Sequence, residues 1–151
     1  MANHLRHQIR ENVATTVSGL TTTGTRVFQS RVYPLEATNL PCLLVYTLSE
    51  SVVYKSAGRP RQTLRTVQVV IEGVHALTAD LDDKLDLICK EVEVAMCANV
   101  KRGSLAIDTR LEGTEITLVG GEGQKPMGSA KMSWLVEYSA REGAPDVLAD
   151  T

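Results

Sequence analysis

The chain has 151 residues, 43% of them hydrophobic and 23% charged, with a formal net charge of -2. That length and apolar content fit one domain (1–151) with one core and exclude a disordered chain. The small net charge lacks the basic excess of a typical nucleic-acid-binding domain, and no apolar run reaches the ~20 residues a membrane span requires.

The start, MANHLRHQIRENV, is polar and carries no apolar segment that would read as an export signal. Leu5, Ile9, Val13 and Val17 then recur every four residues, which predicts an amphipathic helix from His4 to about Ser18. Gly19 and the run Thr21 to Thr25 end it, because glycine tolerates a left-handed turn and threonine disfavours helix. RVFQSRVYP is strand-like. After the turn-prone EATN, the apolar run LPCLLVYTL, bounded by Pro41 and by Ser49-Glu50-Ser51, predicts a short strand buried on both faces.

TLRTVQVVIEGV is rich in β-branched residues and predicts another strand. Thr78 can cap a second helix, with Asp80, Asp82 and Asp83 at its positive end. Leu81, Leu85, Ile88, Val92 and Met96 form its inner stripe, and Asp80 with Lys84 and Asp86 with Lys90 are acid-first pairs at helical spacing. TEITLV, the turn GGEGQKPMG and the alternation from Ala130 to Tyr138 predict a hairpin with one apolar face. Residues 139–151, SAREGAPDVLADT, lose periodicity and read as an irregular tail. The order of elements predicts an α+β fold, a mostly antiparallel or mixed sheet with two main helices packed on one face.

Chemical motifs are sparse. Gly123 and Gly128 have the spacing of half a phosphate loop, but Ser129 and Ala130 stand where Lys and Ser/Thr should follow, and Pro126 breaks a dinucleotide fingerprint. The acids from Asp80 to Asp86 do not follow the calcium-loop pattern. His4 and His7 lack a second ligand pair, and His75 reads as a polar residue at a sheet edge, so no metal or other cofactor is expected. Cys42, Cys89 and Cys97 cannot all pair and have no CxxC spacing, which reads as reduced thiols of a cytosolic compartment. With no nucleophile elbow and no Cys-His signature, the chain reads as a non-enzyme.

The remaining feature is VVYKSAGRPRQTLR, where Lys55, Arg59, Arg61 and Arg65 surround a Gly-Pro break on a loop between strands. The bland reading is a solvated loop. The stretch has only Tyr54 as a nearby aromatic for stacking single-stranded nucleic acid. A protein interface is the other functional reading, since arginine is enriched there and its fork pairs carboxylates at two points.

The opening LRHQIRENVATTVSGLTTTGTRVFQSRVYPLEATNLPCLLVYTLSES, the strand TLRTVQVVIEGV, the helix LDDKLDLICKEVEVAM and the closing GSAKMSWLVEYSA resemble the tail terminator (tail completion) proteins of long, non-contractile-tailed bacteriophages. The likeness runs from Leu5 to about Tyr138, and its most specific part joins the N-terminal helix, TRVFQSRVYPL and LPCLLVYT. The resemblance implies a virion subunit, assembled in the bacterial host cytoplasm and placed at the tail-neck junction. It implies a self-assembled ring, a hexamer, that caps the major tail tube protein, ends tube polymerisation and meets the head completion or connector protein. Genomic DNA would pass through the lumen without sequence-specific binding. Another head-tail joining protein or a small nucleic-acid-binding module is the alternative. In such a ring, the loop from Ser51 to Gln62 would face the tube or a neighbouring subunit through Arg59 and Arg61. The acidic helix start at Asp80, Asp82 and Asp83 would be the opposing patch of a heterologous contact.

Overall fold

The four-residue apolar period does form a helix, α1 (Leu5–Thr16), with Leu5, Ile9 and Val13 buried and Val17 buried at its C-cap. The structure, a computed structural model, describes residues 2–29, 39–76, 79–119 and 127–149. His4 holds the N-cap, its Nδ1 accepting from the Arg6 N–H at 3.0 Å. Gly19 then turns the chain at φ 88, a left-handed conformation that costs glycine little.

Of the strand-like RVFQSRVYP, β1 (Val27–Phe28) is a short strand, and residues 30–34 lie outside the described ones. The next run is buried on both faces as expected, Cys42 to Val45 having no exposed surface. However, β2 (Cys42–Tyr54) does not stop at Ser49-Glu50-Ser51. A bulge between Thr47 and Glu50 resets its register against β3 (Gln62–Ala76), so the polar triplet is carried inside a long hairpin. The linking loop shrinks to residues 55–61, and Arg65, expected on that loop, lies within β3.

The second helix, α2 (Leu81–Cys97), buries Leu85, Ile88, Val92 and Met96 as the stripe predicts. Its N-cap is Asp80 at φ 58, with no side-chain capping bond, and Thr78 lies outside the described residues. Among the described residues neither acid-first lysine pair closes as an ion pair; the aspartates simply line a solvated, positive helix end. The far end is capped from below. Arg102, fully buried at φ 49, donates to the backbone carbonyl of Met96, in the last turn where a helix leaves its carbonyls without partners, and to that of Asn99 just beyond the cap. Burial draws its pKa below the usual guanidinium value.

The expected hairpin is β4 (Asp108–Val119) and β5 (Met127–Arg141); most of its turn, 120–126, lies outside the described residues. The tail is not irregular. Glu142 and Gly143, the latter at φ 78, reverse the chain into β6 (Ala144–Leu148), which pairs with the end of β5. Pro145 and the absence of alternation hid this strand; both are tolerated because β6 is an edge.

The sheet runs β1-β2-β3-β5-β4, with β1 parallel to β2 and the other pairs antiparallel. Both helices pack on one face, where Leu5, Ile9 and Val13 join Ile88, Val92 and Met96 over Val67, Val69, Ile71 and Trp134 in one cluster. This is the expected α+β architecture. Gly73 permits it locally, since a Cβ there would come within 2.8 Å of Ile88 Cγ2. The opposite face has a smaller cluster of Cys42, Leu44 and Val74. His75 belongs to the central strand β3, which corrects its expected place at an edge.

Candidate functional site

The β2–β3 hairpin extends past the helix layer. Its end exposes Val52, Val53 and Tyr54 at 41%, 58% and 52%, three consecutive large apolar side chains that gain nothing from the core. Lys55 and residues 56–60 of the tip are exposed as well.

The four predicted cations divide into two groups. At the tip, Arg61 sends Nε and Nη2 to the two oxygens of Glu142 at 3.0 and 2.9 Å, and its own N–H adds a third bond at 3.0 Å. Its guanidinium also stacks on Tyr54, 4.1 Å from the ring centroid. Arg59, more exposed, reaches Glu142 Oε1 at 3.2 Å. These bonds, the Arg61 side chain first and its N–H second, hold the Glu142 carboxyl down at about 2 and raise the pKa of Arg61. The turn between β5 and β6 therefore clasps the hairpin tip. Lys55 is exposed outside that clasp, and Arg59 is exposed at its outer side.

Arg65 works at the root of the arm. It points to the helix face and meets Glu50 Oε2 at 3.5 Å, while Arg6 of α1 meets the same oxygen at 3.0 Å and the Tyr138 hydroxyl donates to Oε1. Glu50 and Arg65 are 8% and 14% exposed and Arg6 39%, so this is a mostly dry network. Burial, then the bond to Glu50, pushes the Tyr138 phenol well above its usual pKa. His4 sits beside the network, its pKa lowered by burial and by Arg6.

Asp80, Asp82 and Asp83 are exposed at the start of α2. They are not brought near the basic tip: β3 runs from the tip at Gln62 to Ala76 just before α2, a distance of about 45 Å at ~3.3 Å per residue. Within one chain the acidic partner of the tip is Glu142. Sequence reasoning named Tyr54 only as a nearby aromatic and missed the roles of Glu142, Glu50 and Tyr138. Counting outward from the Gly-Pro break would have placed Glu50 opposite the region of Arg65; nothing local marks Glu142.

The cavities are open grooves. One of about 490 Å3 lies between Leu20–Thr22 and the outer side of α2, beside Leu87 and Val94. Another of about 520 Å3 crosses the uncovered sheet face beside Tyr46, Gln68, Val70 and Lys131. The three thiols are free, and burial pushes that of Cys42 up to about 11. Among the described residues no cluster of His, Cys, Asp and Glu is arranged to hold a metal, and no helix is long and apolar enough to cross a membrane.

No family model matches the chain, and no curated protein does. Among solved structures it is similar to a chain from "Virion of native gene transfer agent (GTA) particle", with a TM-score of 0.40 and 12% identity over 91% of this chain and 92% of that one.

Proposed function

We propose that this chain is a non-catalytic structural subunit of a virion, acting as a tail terminator. In this reading it assembles into a ring on the end of the tail tube, stops growth of the tube protein and offers its other side to the head connector. The observation that carries the reading is the hairpin arm, with its exposed Val52, Val53 and Tyr54 and the exposed cations Lys55 and Arg59, the latter bonded to Glu142. Apolar side chains ringed by arginine and lysine make a surface built for a protein partner. The sequence resemblance from Leu5 to Tyr138 supplies the kind of partner.

The arm also indicates which residues to change. Arg61 is engaged by Glu142, so reversing it would disturb the clasp as well as any contact. Lys55→Glu with Arg59→Glu keeps the two-point Arg61 fork and gives up only the Arg59 bond to Glu142. Added to polymerising tube protein, the native chain should give capped tubes of limited length in electron micrographs, and the double variant should leave tubes growing. Light scattering gives the second readout: a ring-sized species, alone or with tubes. A strict monomer that leaves tube length unchanged would refute the proposal.

A further inference from the structure

Along Ser51–Tyr54 no described strand pairs with the outer edge of β2, and none covers the outer edge of β4, at the other end of the sheet. Natural sheets usually blunt such edges with charge or proline. Here the segments Ser51–Tyr54 and Ile116–Leu118 carry neither, and Ile116 and Leu118 are 46% and 55% exposed.

The ladder fixes which backbone groups face outward. The Lys55 N–H donates to Gln62 O at 2.8 Å, so Lys55, Val53 and Ser51 face β3, and Val52 and Tyr54 turn their N–H and C=O groups out. Carrying the same alternation through the register of β3, β5 and β4 leaves Glu115 and Thr117 facing inward and Ile116 and Leu118 facing outward.

Side-chain faces follow from the same register. Val52 aligns with Arg65 and Tyr138, and Tyr54 with Thr63 and Ala140, on the helix side. Ile116 and Leu118 align with Ala130 and Gly128, and a Cβ at Gly128 would touch Leu81 and Leu85 of α2, so they too lie on the helix side. Lys55 and Glu115 belong to the uncovered face.

We infer that the β2 edge of one copy adds antiparallel to the β4 edge of the next, pairing Tyr54 with Ile116, Val52 with Leu118, Val53 with Thr117 and Lys55 with Glu115. In this register outward backbone groups meet outward groups, apolar side chains meet on the helix side, and the lysine meets the glutamate on the other. A parallel alignment of the same apolar residues would lose the charge pair. The contact is heterologous and joins opposite edges of one sheet, so repeated copies form a ring or a helix. It rests on the ring reading and specifies its joint.

The test uses the full chain with Cys97→Ser, because Cys97 is exposed. Val53 and Thr117 would form a non-hydrogen-bonded pair about 4.5 Å apart at Cα, within the roughly 4.4–6.8 Å that a disulfide spans. Under mild oxidation, a mixture of Val53→Cys and Thr117→Cys chains should give a covalent dimer, the double variant a ladder, and either single variant alone neither. Val52→Pro removes an outward N–H and the valine side chain that meets Leu118, leaves the β3 ladder untouched, and should raise the concentration needed for assembly by about tenfold, with the monomer's circular dichroism unchanged. A ring-sized species that gives no mixed dimer and ignores Val52→Pro would overturn this joint and leave the ring reading standing. Dimers of Val53→Cys alone would overturn it in favour of a two-fold contact. A chain that stays monomeric with and without tubes would overturn both.

Discussion

Glu50→Ala would remove the acceptor shared by Arg6, Arg65 and Tyr138. Two of the three donors are mostly buried; Arg65 would keep only its Nε bond to Thr63 Oγ1 at 3.0 Å, and leaving a buried charge without its counter-ion costs about 3–5 kcal/mol. Tyr138→Phe keeps the ring in the core and deletes one hydrogen bond to a charged acceptor, worth about 1.5–3 kcal/mol. Arg6→Ala removes the more exposed cation and should cost about 1 kcal/mol or less. Urea unfolding followed by tryptophan fluorescence is suited to the comparison, because Trp134 is buried in the core. The three midpoints should fall in that order with an unchanged slope. Adding Tyr138→Phe to Glu50→Ala should cost far less than it does alone, since the hydroxyl then has nothing to bond. If Glu50→Ala costs no more than Arg6→Ala, the network is hydrated and the argument fails.

Two further outcomes follow from local geometry. Gly73→Ala places a methyl against Ile88 and should destabilise by about 1–3 kcal/mol; Ile88→Ala in the same chain removes the clash, so the double variant should be less destabilised than the sum, and strict additivity in urea would contradict the contact. Because the folded Glu142 carboxyl titrates at about 2 against a usual 4.5, the clasp is fully present above pH 4.5 and is lost as pH falls through 2. Carboxyl-carbon NMR should show that midpoint, and Arg61→Ala should return it towards 4.5; an unshifted midpoint in the native chain would show that the clasp does not form.

Both helices were legible because each buries one unbroken stripe, and a period of four apolar residues has no other use in a two-layer fold. The same logic found the inner half of β2 and the alternation of β5. It failed where a strand is stabilised by pairing alone. Beyond Thr47, β2 leaves the core, and its side chains no longer report which face they occupy. The strand β6 has too few residues to show a period. The basic stretch stood out in composition, yet the roles within it depended on acceptors far away in sequence: Glu50 across the hairpin for Arg65, and Glu142 at the opposite end of the chain for Arg61. Charge is visible in one dimension, whereas its neutralisation requires the register.

The hairpin arm is braced at two heights, by the Glu50 network at its root and by Glu142 at its tip. A load applied to the tip is therefore not absorbed by bending a loose loop. It divides between the start of α1, through Arg6, and the β5–β6 turn, so the arm behaves as a strut with two footings. Pulling on the exposed end would strain the whole sheet as a unit, and each footing would have to yield before the strands could peel apart.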